Sequence, residues 1–561
     1  MAKPIRKPPL TSSWDSQISL LVWLSACISV LSFLFYYRNR EIMLYGDAVA
    51  HINIARRVFD SLTPGLLQLG TVWLPLPHLL MIPFLISNQM WQRGVGGSIP
   101  SMAAYLFAVA GVFRLVRDAL LRSGDDLSRL AASAAAWAAA LLLAANPNLI
   151  YMQTTAMGEA LYLAFFIWSV VYFAEFVRGR QNALTRCGLC LGAACLTRYD
   201  GWFLAAAMAC VIVALAIRPS EPGPGASVIS RRAAVRFVLL AAAAPALWLA
   251  YNGIVYRNPL EFENGPYSAK AIELRTQTAG NPGHPGSGNP VLAELYFVKS
   301  GEITVASNPW LERTWVLLAF AALVFASMSS TRKSYWPLLL ILVPLPFYAL
   351  SVAYGGVPIF VPDWWPFSRY NVRYGLQLLP AFAAAVGILV YATIMTTRWS
   401  AKLRTAIVAA LLIFAAVSYA TVWRAAPVTL QEARINMRGR NHLEAQLASF
   451  LRLLPPDSRL LMYLGDHVGA VQQAGIPLRR VINEGNHRVW MQPRDPDGLW
   501  ERALADPAKY AGYVLAFKGD PVWQAVEAAK ARGDDHLQEV FEIHVSGQAH
   551  AILYRTSNQP D

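Results

Sequence analysis

Ten apolar runs cross this chain, at about 18–37, 100–118, 130–146, 158–177, 202–217, 234–255, 311–329, 335–354, 373–396 and 405–423. A helix needs about 20 apolar residues to span a hydrocarbon core about 30 Å thick. Repeated runs of this length leave one fold class, a polytopic α-helical membrane protein. Composition agrees: residues AVILMFWYC make up 55% of the 561 residues, charged residues 15%, and mean hydropathy is +0.36. Soluble domains carry about 25% charged residues. Soluble, disordered, collagen-like, coiled-coil and disulfide-framed classes are therefore excluded.

Two further stretches are ambiguous. Residues 74–91 contain Pro75, Pro77 and Pro83, and residues 187–217 are interrupted by Arg198, Tyr199 and Asp200. Charge decides between the readings. The net charge of +14 sits largely in short connections: Arg114/Arg117/Arg122/Arg129, Arg178/Arg180/Arg186, Arg218/Arg231/Arg232/Arg236, Arg332/Lys333 and Arg398/Lys402/Arg404. Cytoplasmic loops are enriched in Lys and Arg, so this charge marks loops rather than a nucleic-acid partner. All five become cytoplasmic together if 74–91 does not cross and 187–217 crosses twice, turning outside at 198–201. The reading is about eleven transmembrane helices, with the N-terminus (Lys3, Arg6, Lys7) cytoplasmic and the C-terminus outside. The short fifth span covers about 183–197, with Arg186 snorkelling at its inner end. Prolines interrupt helix hydrogen bonding and make 74–91 interfacial or re-entrant. Leu24-Ser25-Ala26-Cys27 resembles a lipoprotein cleavage site, but the apolar run continues ten residues beyond it, so the run is an uncleaved first helix. The five cysteines, Cys27, Cys187, Cys190, Cys195 and Cys210, lie in apolar runs and read as small buried side chains.

Residues 1–425 thus form a transmembrane domain with a first outer loop at 38–99, a long outer loop at 256–310 and a third at 355–371. Residues 426–561 form a small extracytoplasmic α/β domain. Its strands are expected at 459–464, 512–517, 540–545 and 551–555, and its helices at 441–454 and 521–531. Residues 280–290 are Gly/Pro-rich, and 261–271 beside them are candidates for a lid over substrate.

Ionisable groups cluster at one membrane face. Asp47, Glu159, Arg198, Asp200, Arg369 and Arg373 all fall near outer ends of spans or in outer loops. That distribution suits chemistry on a lipid-linked headgroup. An ion-coupled transporter keeps such groups near the midplane. In the first loop Asp47 and His51 stand four apart, with Asn53, Arg56 and Arg57 following. Gly46-Asp47 reads as a helix start with Asp47 as its cap, and Asp60 has no place in the pattern. The arrangement sets a base and phosphate-binding cations on one short helix. Glu159, at a helix start, either meets the helix dipole or orients substrate. Asp47, His51 and Glu159 could hold a hard divalent cation, Mg or Mn; no cofactor is certain. Trp364, Trp365, Phe367 and Tyr370 form an aromatic belt or a sugar-stacking surface. His442, His467 and His487 show no ligand spacing and read as surface residues.

The Gly-Asp-Ala-x-x-His-x-x-x-Ala-Arg pattern of the first loop resembles the C-type (GT-C) glycosyltransferases, a superfamily including protein O-mannosyltransferases, the lipid A aminoarabinose transferase and oligosaccharyltransferase catalytic subunits. Asn146-Pro147 at the third span's end, Glu159 opening the fourth, Arg198-Tyr199-Asp200-Gly201 at an outer turn and Arg373-Tyr374 before Pro380 resemble family features in the same order. The chain departs from the Trp-Trp-Asp motif of oligosaccharyltransferases, having Asp363-Trp364-Trp365, and from the Asp-Glu pair of O-mannosyltransferases, having Ala48 after Asp47.

The resemblance implies a polyprenyl-phosphate sugar donor, an acceptor hydroxyl on a lipid, glycan or protein, and inversion at the anomeric carbon, while the compact loops and Ala/Arg-rich composition point to a bacterial plasma membrane and cell-envelope chemistry. A phosphate leaving group needs no strong acid, so one carboxylate base and cations suffice. Asp47 is the expected base and Arg373 the leading phosphate ligand, with Arg198, Arg56, Arg57 and Arg369 behind it. His51, Asp200, Tyr374, Trp364 and Trp365 are weaker substrate contacts. The enzyme would be a hexosyl- or pentosyltransferase; the competing class is a transporter or flippase of a lipid-linked substrate.

Overall fold

The computed structural model describes residues 15–121, 126–217, 231–276, 283–328, 335–486 and 496–557. Lys3, Arg6, Lys7, Arg122, Arg218, Arg332, Lys333, His487 and residues 280–282 lie outside these segments. Among the described residues, ten helical segments are long and apolar enough to cross a membrane: Ser16–Arg38, Val95–Leu120, Asp126–Ala145, Glu159–Val177, Asp200–Ile217, Arg231–Val255, Pro309–Met328, Trp336–Tyr354, Val372–Met395 and a last one opening at Ala401. Their outer surfaces carry bare Trp23, Leu31, Phe107, Leu130, Leu239, Leu247, Phe320 and Ile413. Water does not tolerate an apolar belt of this extent, and lipid covers it without cost. This is a multi-span membrane protein.

The two ambiguous stretches behave differently from each other. Ala183–Cys195 is a helix of 13 residues, packed between Glu159–Val177 and Arg231–Val255. At 1.5 Å per residue it reaches only about 20 Å. Residues 74–91 break into Leu76–Leu85, which holds Pro83, and Asn88–Gln92. Neither piece is long enough to span, and Leu76–Leu85 packs on the first-loop helix Gly46–Arg57.

The last span ends at Ala425. Ala426 adopts φ +65° and Pro427 follows, and a new helix, Val428–Leu451, starts at once. It begins well before the 441 expected from the sequence, because its early buried face interleaves apolar Val428, Leu430 and Ala433 with polar Thr429 and Glu432. A five-stranded sheet follows: β1 (Leu460–Met462), β2 (Val481–Ile482), β3 (Tyr513–Phe517), β4 (Leu537–Ile543) and β5 (Ala551–Thr556), in spatial order β2-β1-β3-β5-β4. β1 runs parallel to β2 and β3, and β5 runs antiparallel to β3 and β4. β2 has two residues, too few to show a period. One sheet face (Leu460, Met462, Leu515, Phe517) packs with Val428–Leu451 and Leu464–Ala474. The other (Leu461, Val514, Ala516) packs with Trp500, Ala503, Val522 and Val526.

This C-terminal unit is bolted to the first loop. Asp60, 1% exposed, accepts from Arg56 Nε at 2.7 Å, Leu478 N at 3.3 Å and Arg479 Nη1 at 3.2 Å. Asn53 Nδ2 donates to Gln472 Oε1 at 2.7 Å, and Asn148 Oδ1 accepts from Thr429 N at 3.0 Å. Asp60 is therefore a structural anchor, contrary to the sequence reading that gave it no role. The segment 261–271 includes the helix Glu261–Asn264, whose Phe262 stacks on Tyr199 at 4.9 Å.

Counting Ala183–Cys195 as a span puts everything after Ala425 outside. A reporter active only outside the cytoplasm should be active when fused after Ala426 and silent when fused at Gly225. The reverse pattern at either position refutes eleven crossings.

Candidate functional site

The site starts from the helix Gly46–Arg57. Ala48, Val49, Ile52 and Ala55 bury one stripe of it, which leaves Asp47 at the rim in the first turn. Tyr45 occupies the cap position and no side chain caps the helix, so Asp47 is not the cap that the sequence suggested. Its carboxylate, 40% exposed, instead accepts from Arg373 Nη2 at 2.7 Å.

Arg373 lies in the 3-10 stretch Val372–Leu378 that opens a late span. Each of its three nitrogens meets a different carboxylate: Nη2 meets Asp47, Nε meets Glu159 Oε1 at 3.0 Å, and Nη1 meets Glu432 Oε1 at 2.9 Å. The rings of Tyr45 and Tyr374 flank the guanidinium at 5.3 and 5.1 Å. Glu432 also accepts from Asn371 N and Val372 N, each at 3.0 Å. Asn371 has φ +56°, a left-handed turn that aims both amides at one carboxylate. Burial pushes the Glu432 carboxyl upward against the pull of Arg373.

Glu159 links a second set. Its Oε1 also faces Arg198 Nη1 at 3.4 Å, and its Oε2 is buried with no hydrogen-bond partner. Arg198 Nε reaches Asp200 Oδ2 at 3.3 Å and its Nη2 reaches the Tyr348 hydroxyl at 2.9 Å. That hydroxyl donates to Asp200 at 2.8 Å. Tyr374 lies under the Arg198 guanidinium at 4.5 Å. Asp47, Arg373, Glu159, Arg198 and Asp200 thus form one chain of ion pairs, with Glu432 branching from it.

The remaining expected residues fall into three groups. Arg56, 3% exposed, spends its donors on Asp60, the carbonyls of Leu85 and Ile86, and Asn88 Oδ1, with Trp91 beneath it at 4.9 Å. It pins the first loop, with four of its five N–H donors engaged by the protein. Arg57 turns to Glu484 of the C-terminal unit at 3.5 Å. Arg369 makes no ion pair among the described residues, and its Nε has no partner. Trp364 packs edge-on to Tyr296 at 5.1 Å and Trp365 is 47% exposed. Asp363 before them pairs with Lys299 Nζ at 2.7 Å.

His51 pairs with a second histidine. Its Nδ1 lies 2.8 Å from His78 Nε2, and burial lowers the pKa of both rings. Among the described residues, Asp47, His51 and Glu159 do not bring three ligand atoms within 4.8 Å of one another; only the surface trio Asp534, Asp535 and His536 does. Arg373 supplies the positive charge between Asp47 and Glu159, so this donor set does not fit a divalent cation as arranged.

Sequence reasoning missed Glu432, Tyr45 and Tyr348. Glu432 had a usable signal, a carboxylate among the apolar positions just after the last span. The tyrosines had none.

No protein-family model and no curated protein matches the sequence. Solved structures do match in shape. ArnT from Cupriavidus metallidurans bound to undecaprenyl phosphate aligns over 97% of this chain and 99% of its own, at 12% identity and TM-score 0.54. Its apo state aligns over 96% and 98%, at 13% identity and TM-score 0.53. An oligosaccharyltransferase of Archaeoglobus fulgidus, tethered to an acceptor peptide, covers 98% of this chain and 75% of its own, at 13% identity and TM-score 0.45. The chain shares the fold of these ArnT structures, the GT-C fold expected from the sequence.

Removing one member of a buried ion pair costs about 3 to 5 kcal/mol. Glu432→Ala should destabilise the protein by that order in equilibrium unfolding in mixed micelles. Glu432→Gln, still able to accept from Asn371 and Val372, should lose less. Wild-type stability in both variants would remove Glu432 from the network.

Proposed function

We propose that this chain is an integral-membrane glycosyltransferase. It moves a sugar from a polyprenyl-phosphate donor to an acceptor hydroxyl at the outer membrane face, with inversion and with Asp47 as general base. The observation that carries this reading is the pairing of Asp47, the exposed carboxylate of the network, with an arginine held by two buried ones, on a GT-C fold.

The acceptor hydroxyl gives its proton to Asp47 as its oxygen attacks the anomeric carbon. The bond from that carbon to the phosphate oxygen breaks, and polyprenyl phosphate leaves as an anion. Glu159 and Glu432 fix the Arg373 guanidinium in place. Its Nη2 is the nitrogen directed to the exposed side, so an arriving phosphate competes with Asp47 for it. Taking that nitrogen frees the carboxylate to act as base. Four carboxylates (Asp47, Glu159, Asp200, Glu432) face two guanidiniums (Arg373, Arg198) in the network. A phosphate therefore needs further positive charge, and uncommitted Arg369 in the third loop is suited to supply it. No step requires a metal; chelation of divalent ions tests that directly.

General base catalysis contributes about 100- to 10,000-fold. Asp47→Asn should lower sugar transfer from radiolabelled polyprenyl-phosphate donors by that factor, with donor binding retained in the same preparation. Transfer at the wild-type rate would reject Asp47 as base. Movement of intact donor across a vesicle membrane, with no sugar leaving the lipid, would favour a flippase.

A charge-assisted hydrogen bond contributes about 1.5 to 3 kcal/mol, or about tenfold to a hundredfold. Arg369→Ala should raise the donor KM by that range and leave kcat near wild type, because the contact is present before and during reaction. An unchanged donor KM would remove Arg369 from the phosphate site.

A further inference from the structure

A second cavity, of about 380 Å³, opens in the C-terminal unit away from the ion-pair network. It sits where β1 and β3, parallel neighbours, both end at their carboxyl ends. After β1 the chain enters Leu464–Ala474 on one face of the sheet and continues to β2 on one side. After β3 it enters Pro521–Ala531 on the opposite face and continues to β4 and β5 on the other side. The strand order reverses between them, which makes this crevice the sheet's topological switch point, the place where open α/β sheets bind ligands.

Its lining is built for polar recognition. His467 is 8% exposed and stacks on Phe517 at 4.3 Å. The sequence reading placed it on the surface, and the structure buries it. The residue lines the cavity, and its Nδ1 is buried with no hydrogen-bond partner; Glu444 Oε1, at 4.0 Å, is out of reach. Burial lowers its pKa to about 4, so the ring is neutral at physiological pH. Asp520 caps the second helix through Trp523 N, and its other carboxylate oxygen is buried and unpartnered. Tyr463, and Tyr267 from the long outer loop, supply aromatic rings at the rim.

The charge pattern selects among ligands. Helix starts ordinarily favour anions. Here Asp466 lies in the first turn of one helix and Asp520 caps the other, so both positive ends already face a carboxylate. Lys518 alone opposes them in the lining. A phosphate or nucleotide would meet two carboxylates; a hydroxyl-rich neutral ring would meet acceptors, a neutral imidazole and aromatic faces. We propose that this crevice, lined by Tyr267, Tyr463, His467, Lys518 and Asp520, binds an uncharged saccharide. That the saccharide is part of the acceptor rests on the glycosyl-transfer reading; the binding site does not.

The test is an array of neutral, phosphorylated and sulfated oligosaccharides, probed with the full chain in lipid nanodiscs. Neutral glycans should bind. His467→Ala and Tyr267→Ala, on separate elements, should each weaken binding about tenfold, the worth of a lost hydrogen bond or ring contact. His467→Asn, which keeps a polar atom near the Nδ1 position, should restore part of it. Asp47→Asn should bind as wild type, so loss of transfer and loss of glycan binding are read separately. Thermal unfolding of each variant checks its fold, and Tyr267→Ala, at a residue 39% exposed, carries the test if His467→Ala unfolds. No neutral glycan bound, preference for phosphorylated or sulfated glycans, or unchanged binding in Tyr267→Ala overturns the proposal.

Discussion

Arg373 is gripped by three carboxylates that come from three distant parts of the chain: Asp47 in the first outer loop, Glu159 at the head of a span, and Glu432 on the first helix of the C-terminal unit. Burying one guanidinium alone would cost several kcal/mol. Burying it among three acceptors in fixed directions turns that cost into a positional constraint. The first loop, the membrane bundle and the C-terminal unit must all be seated before Arg373 is satisfied. Thr429 on Asn148, Asn53 on Gln472 and Asp60 under Arg479 add neutral and charged pegs along the same seam. The C-terminal unit thereby completes the polar site, because without Glu432 the guanidinium loses its most buried partner.

An imbalance within that network leaves one carboxylate less committed than the others. Two guanidiniums cannot neutralise four carboxylates, and the surplus falls where solvent reaches. Asp47 is 40% exposed, whereas the side chains of Glu159, Asp200 and Glu432 are 4% exposed or less. Water can stabilise the charge on Asp47 when its partner is withdrawn; it cannot do so for the other three. The buried acids therefore act as fixed counter-charges, and the exposed one can change partners.

Much of the fold was legible because membrane insertion writes itself in long apolar runs and sided basic loops. The observed helices begin and end within a few residues of the expected runs, and the shortness of Ala183–Cys195 was anticipated from charge alone. Of the site, Asp47, Glu159, Arg198, Asp200 and Arg373 were legible because ionisable groups are rare near apolar runs. The partnering was not. Arg56 and Asp60 lie in the same loop as Asp47 and look equally available in one dimension, yet they pair with each other at 2.7 Å and are sealed beneath the C-terminal unit. His467 was obscured for the same reason. In a polar tail, hydrophilicity predicts exposure, and only the packing of a second surface onto that helix reverses the prediction.

The two polar centres share a helix. Val428–Leu451 presents Glu432 to Arg373 and, two to three turns further on, carries Arg440 and Glu444. Arg440 bonds Glu444 at 2.8 Å and also lies against Gly46, where a Cβ would stand 2.9 Å from its Nη1. Glycine there leaves room for the end of the Arg440 side chain and does not sit in a left-handed backbone. Glu444 in turn lies 4.0 Å from His467, in the wall of the crevice. Gly46 precedes Asp47 directly, so a single row of contacts runs from the crevice wall through Glu444 and Arg440 to the residue before the proposed base. The seam fixes the distance between the two centres by the length of one helix rather than by a flexible linker.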